Sequence, residues 1–262
     1  MQRSSPKKGC SQQSTLLWGQ RASGKDVVRT YKPHSAVAPN ATVARPSSYA
    51  QALTNLQQKV PLMRKYSAVW LDSDGREQWM DRLAPATPDF EQAFSSVTHS
   101  TLIFSPSGPI QASDLMPGDL ITGASGKTRQ VVWIGSMTGV PTFDSPHLPP
   151  FQLVRISADA FGLDRPMGDL TLAPHAKLAL GHGLMPASDR VDGDAACEIM
   201  PQSSVRMYHV MLDRPDSILA NGVPVASFVP QGHQYDSMGP NRKALFKSFF
   251  AETSFPRLEA QF

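Results

Sequence analysis

The sequence is short of the features that mark disulfide-rich, membrane-spanning or metal-bound chains. Cysteine is nearly absent: Cys10 and Cys197 are the two in 262 residues. Two thiols so far apart make no disulfide framework, and no CxxC or Cys/His cluster offers metal-ligand spacing. Reduced thiols, no metal and no cofactor are the expectation. No apolar run approaches the roughly 18 residues that a membrane-crossing helix needs. Behind the early cations Arg3, Lys7 and Lys8 the only apolar run is Leu16-Leu17-Trp18, too short for the core of a secretory signal. A cytoplasmic location follows as an expectation, with export on another signal left open. Acids are missing from the start of the chain. Residues 1–65 hold 11 Lys/Arg against Asp26 alone (+10), while the remainder holds 14 against 21 acids (−7).

What the chain does have is punctuation. With 23 prolines, 18 glycines and only 8% aromatic residues, it suits many short strands joined by turns better than long helices. Residues 1–48 are rich in Ser, Pro, Gln, Lys and Arg and show neither helical nor strand period, which predicts a disordered basic arm. Such an arm is either a solvated leader or a contact for nucleic acid, an anionic membrane or the acidic body. Over residues 49–65, Ala52, Leu53, Leu56 and Val60 recur near helical spacing, so a short helix is expected to end before Pro61. Residues 49–95 read as a small helix and hairpin segment. Its hairpin, over 66–80, turns at Asp72-Ser73-Asp74-Gly75, where Asp-Gly supplies a positive-φ corner. Asp72 and Asp74 lack the further ligands and closing Glu of a calcium loop. Residues 88–97 suggest one or two helical turns with Phe90, Ala93, Phe94 and Val97 on one side.

From Thr101 onward short apolar runs alternate with turns. Strands are expected at 102–104, 120–121, 131–134, 153–156, 170–172, 178–180, 208–212, 217–220 and 223–228, which together argue for a compact all-β domain. Asn221-Gly222 is the strongest hairpin signal in the chain. Trp133 reads as core, and Asp119 as the brace of the turn at Pro117-Gly118. After Gln231, a tail over 236–262 carries Leu245, Phe249 and Phe250 at the spacing of a short amphipathic helix that could dock on the body or on a partner.

The run SPSGPIQASDLMPGDLITGASGKTRQVVWIG resembles the opening of bacterial Hint domains, the relatives of Hedgehog autoprocessing domains and inteins. RPMGDLTLAPHAKLAL, GLMPASDRVDG and YHVMLDRPDSILANGVPVASFVPQG follow in family order, so the resemblance covers about 96–235. It implies a Hint-type fold of many short strands, flanked here by the arm and short helices. In active members a Cys, occasionally Ser, heads the domain and attacks the preceding peptide carbonyl, while a Thr-x-x-His element polarises that peptide. Such help is needed because a hydroxyl is a weak nucleophile at its free pKa.

Counting back by the family spacing puts the nucleophile at Ser96, with Ser95 and Ser96 otherwise reading as small residues that end a helix. The Thr-x-x-His element falls on Ala173-Pro174-His175-Ala176, with alanine at both polar positions and His175 one residue early. On a strand, that offset turns His175 to the opposite face unless a bulge re-aims it. His99 is the one base near Ser96 in sequence, without an obvious orienting carboxylate. His182 reads as a turn residue, and His209 either faces the site or fills a polar spot in a strand. Asn221 lacks the following Ser, Thr or Cys that splicing requires, and a turn explains it without chemistry.

Ser96, His99 and His175 are thus the catalytic residues if the domain is active. The primary expectation is a Hint domain that has lost self-cleavage and serves as a structural or interaction module with a protein partner. One alternative is an autoprotease that cuts before Ser96 and releases the N-terminal segment. The other is polyanion binding through residues 1–65, where Trp18 and Tyr31 stand among the cations without a recognisable binding motif.

Overall fold

The computed structural model describes residues 62–141, 150–181, 183–230 and 238–250. The basic arm, the helix expected over 49–60, His182 and most of the C-terminal tail lie outside the described residues. Those that are described belong to one unit spanning 61–262. Among them, no helix is long and apolar enough to cross a membrane.

The expected all-β architecture is present. Its strands are β1 (Met63–Leu71), β2 (Glu77–Pro85), β3 (Val97–Thr98), β4 (Leu102–Ser105), β5 (Gly108–Gln111), β6 (Leu120–Thr122), β7 (Thr128–Gly139), β8 (Leu153–Ile156), β9 (Leu170–Leu172), β10 (Lys177–Leu180), β11 (Gly183–Pro186), β12 (Ala196–Ile199), β13 (Val205–Leu212), β14 (Ser217–Ala220) and β15 (Val223–Ala226). Two short helices flank them, α1 (Pro88–Phe94) and α2 (Pro240–Lys247). One sheet runs β12-β8-β9-β3-β13-β7-β1-β2 with β6 also on β7, and the other runs β11-β10-β15-β14-β4-β5.

The spine is β7, a 12-residue strand whose TRQVVWIGSMTG sequence supplies the β-branched and aromatic residues that pack on a pleated surface. Five of its residues pair with β1, from Tyr66↔Met137 to Trp70↔Trp133. The hairpin β1–β2 is thereby built into the large sheet, and main-chain pairing runs on both sides of residue 95 in the same unit. At the hairpin turn the Asp72 carboxylate accepts the backbone N–H groups of Asp74 and Arg76, each at 2.9 Å. That use of the carboxylate accounts for an acid at this corner.

An aromatic cluster joins the N- and C-terminal parts of this unit. Phe94 lies 5.0 Å from Tyr66, 5.4 Å from Trp133 and 4.8 Å from Phe249, ring centre to ring centre. Phe250 packs tilted against Trp133 at 4.9 Å, and the Trp133 indole N–H donates to the Phe249 carbonyl at 3.1 Å. The C-terminal helix therefore docks on the body, burying Phe246, Phe249 and Phe250. Tilted and edge-on ring pairs of this kind add about 0.5–1.5 kcal/mol each to simple burial.

Gly135 makes the cluster possible. A Cβ there would stand inside the van der Waals envelope of the Trp133 ring and 2.8 Å from the Phe94 ring. Both rings are fully buried and have nowhere to move. Gly135→Ala is expected to cost about 1–3 kcal/mol, as overpacking in cores does. Urea unfolding followed by tryptophan fluorescence reads it as a lower midpoint at unchanged slope.

Candidate functional site

The end of α1 delivers two serines to the middle of the large sheet. Pro88 starts the helix, and Ser95 leaves it in extended geometry with its N–H on the Glu91 carbonyl. The Ser95 hydroxyl donates to the same carbonyl at 2.7 Å. Ser96 then enters the ladder: its N–H donates to Tyr208 O at 2.9 Å, and its own carbonyl accepts the Ala173 N–H at 2.8 Å. Val97 continues this bridging, paired with Tyr208 on β13 and with Leu172 on β9. Val97, expected on the apolar side of a helix, is thus a strand residue, because the chain has already turned at Ser95.

His175 meets this peptide. It sits in the 173–176 turn between β9 and β10, closed by the Ala176 N–H on Ala173 O at 3.0 Å. Strand alternation therefore does not govern His175, and a turn aims the ring where a strand would not. Its Nε2 lies 2.7 Å from the Ser95 carbonyl oxygen and 3.2 Å from the Ser95 hydroxyl. A carbonyl oxygen only accepts, so Nε2 carries the proton and donates. Burial holds the ring below the usual histidine pKa, against the opposing pull of the Ser95 carbonyl. A neutral Nε2–H tautomer polarises the carbonyl but takes no proton from either serine.

Ser96, the residue at the nucleophile position, is 1% exposed, and its hydroxyl is buried without a hydrogen-bond partner. His99 is exposed, and neither it nor His175 hydrogen-bonds the Ser96 hydroxyl. Ala173 and Ala176, where the resemblance leads one to expect a Thr and a His, are 3% exposed and pack in the core. Of the three sequence-derived candidates the fold brings Ser96 and His175 to the same peptide and leaves His99 at the surface.

His209, on β13, lies on the same cavity as His175. Its Nδ1–H donates to the Gln92 carbonyl at 2.8 Å. Burial above all, partly offset by backbone carbonyls and reinforced by nearby His175, pushes its pKa down to about 4. His175 and His209 border one cavity of about 330 Å³, together with Lys177, Leu184, Ser227 and Phe228. The Ser227 hydroxyl is buried there without a partner. Sequence reasoning missed Ser95 and Ser227. The first was legible only as the end of a short helix begun at Pro88, and the second carried no signal. Among the described residues no three His, Cys, Asp or Glu side chains gather as metal ligands, and Cys197 is a buried thiol in no disulfide.

Asn221 lies away from this chemistry. At φ 47°, followed by Gly222 at φ 84°, it turns β14 into β15 as a two-residue hairpin. Its side-chain oxygen accepts the Leu102 N–H at 2.8 Å, and its amide donates to Gly168 O and Asp169 O at 3.4 and 3.3 Å. Asp119 braces its own turn as expected, accepting the Met116 N–H at 2.8 Å.

A family model described as Hint domain matches residues 95–232. Among solved structures the chain is similar to the MchDnaB-1 intein, with 17% identity over 49% of this chain and 98% of that one, at a TM-score of 0.36. It is also similar to a bacterial intein-like domain from Clostridium thermocellum, with 10% identity, 52% and 99% coverage and a TM-score of 0.36. A DnaB intein from Synechocystis gives 9% identity, 52% and 99% coverage and a TM-score of 0.36. No curated protein sequence matches.

The bonds of Asn221 predict how it responds to change. Asn221→Gly keeps the positive-φ corner but loses the side-chain bonds, at about 1–3 kcal/mol. Asn221→Ala loses the same bonds and strains the corner as well, so its thermal midpoint is expected below that of Asn221→Gly.

Proposed function

The chain belongs to the Hint domain family, and on that premise we propose that it keeps the Ser95–Ser96 peptide intact and works as a structural or interaction module. One observation carries this reading. The imidazole on that peptide commits its Nε2–H to the Ser95 carbonyl, while the Ser96 hydroxyl is buried with no base in reach. A serine without an activating base is a poor nucleophile. The amide nitrogen, which would have to gain a proton on cleavage, is held with its N–H on Tyr208 O. Release would not follow a cut in any case, because β1 is paired with β7, and Tyr66, Phe90 and Phe94 lie in the common core.

The polarised Ser95 carbonyl favours a second reading, a slow autoprocessing activity. In it the Ser96 Oγ bonds to the Ser95 carbonyl carbon, the C–N bond breaks, and the hydroxyl proton passes to the freed amine. Water then hydrolyses the ester to a Ser95 carboxylate. Intact mass after prolonged incubation separates the two readings. A single full-chain species, unchanged by neutral hydroxylamine, is expected. Fragments ending at Ser95 and beginning at Ser96, absent from Ser96→Ala, would overturn the module reading.

A further inference from the structure

Two imidazoles hold one helix end. His209, from β13, donates to Gln92 O at 2.8 Å. His175, from the 173–176 turn, donates to Ser95 O at 2.7 Å. Between them the Glu91 carbonyl takes the Ser95 N–H and hydroxyl. The carboxyl end of α1, which would otherwise leave unsatisfied carbonyls, is thus caged by two neutral rings that border the same cavity. Nothing in the peptide chemistry proposed above requires His209 there.

We propose that His175 and His209 form an acid-sensitive latch, which when neutral clamps the end of α1 onto the large sheet and when protonated opens that junction and uncovers the Ser95–Ser96 peptide. This deepens the reading of the site as a structural cluster, and it rests on that reading. The charged surroundings favour opening. Lys177, on β10, shares the cavity wall with both rings. The acid that lines the cavity, Asp216, is engaged by Arg129 at 2.9 Å and by Ser125 and the Ser217 N–H. Burial opposes its ionisation, yet those bonds hold its pKa below the usual carboxylate value. On α1 itself, Glu91 is bound by Arg64 at 3.1 Å. Two imidazolium ions would therefore repel each other, with Asp216 and Glu91 already paired.

The sign follows from linkage. An exposed histidine titrates near 6.5, whereas His209 in place titrates at about 4. Between those values the open form binds a proton that the closed form does not. Closure therefore weakens as pH falls, by roughly tenfold per unit. Above about 6.5 both forms are neutral and the slope vanishes. Across the whole window His209 alone gives about 300-fold, and His175, whose pKa is also lowered, acts in the same direction.

Amide hydrogen exchange on the full chain tests this, read at Ser95 N–H and Ser96 N–H as protection relative to intrinsic rates from pH 7.5 to 4.5. Protection is expected to fall steadily below about pH 6.5. His209→Gln, which keeps a neutral donor, should shallow the slope, and the double variant with His175→Gln should flatten it. His99→Gln, at the surface, should retain the parent slope. Flat protection in the parent, or an undiminished slope in the double variant, would overturn the latch. Should the glutamine variants not fold, the His209 ring proton in the parent decides: titration well below 6.5 supports the latch, and titration near 6.5 refutes it. Intact mass of the same samples reports separately on the peptide bond. A cut between Ser95 and Ser96 would overturn the module reading without bearing on the slope.

Discussion

The large sheet is joined through its middle by a strand of two residues. In the strand order, β3 is what stands between β9 and β13, and its approach segment already bonds to both sides through Ser96. If that segment were pulled out, β12, β8 and β9 would lose their main-chain link to β13, β7, β1 and β2. Two residues cannot provide this through hydrophobic area alone. Their stability comes from position: Val97 is fully buried, and each backbone group that enters the gap finds a partner. A buried backbone group without one would cost about 1–3 kcal/mol. The end of α1 is therefore a structural joint before it is anything else, and the histidines that hold its carbonyls belong to the joint.

That requirement bears on the chemistry. Acyl transfer from a peptide requires the nitrogen to become pyramidal and to accept a proton, and the carbonyl to become tetrahedral. Here the nitrogen is fixed in plane by its bond to Tyr208 O, so the change would break a bond that joins the two halves of the sheet. His175 supplies polarisation on the carbonyl side, which is half of what the reaction needs. The other half is a base at the Ser96 hydroxyl, which is buried here without a hydrogen-bond partner. On the module reading, these bonds are kept because the sheet uses them.

Sequence patterning reached the regular strands and the sharpest turns, for reasons that are local. Asn221-Gly222 declares its hairpin because few residues other than Asn and Gly adopt those dihedrals, and VVWIG declares a strand because its residues pack well only on a pleat. Where long-range pairing decides, the pattern fails. Val97-Thr98 has no period to read, so β3 was not foreseen. The 173–176 segment was weighed as strand, though Pro174 suits a turn, and it is the turn that carries His175 to the Ser95 carbonyl. The hairpin is legible over 66–80, within the 63–85 that the structure pairs, but its place beside β7 is not, because Tyr66 and Trp70 look the same whether they meet β7 or any other apolar surface. His209 was undecided for the same reason: only the approach of Gln92 fixes what its ring does.

Residues 62–94 are therefore part of the domain's interior rather than a cargo attached to it. Tyr66, Phe90 and Phe94 are each fully buried, and at about 1.5–3 kcal/mol for a large apolar side chain their burial amounts to roughly 5–9 kcal/mol before the five β1–β7 residue pairs are considered. A broken Ser95–Ser96 bond would relieve none of these contacts. Whether or not that bond ever breaks, the product is the same assembled body, differing only by a nick at its central joint. Departure of its first strands would require unfolding the core that Trp133 anchors, so on the module reading function lies in what the assembled body presents.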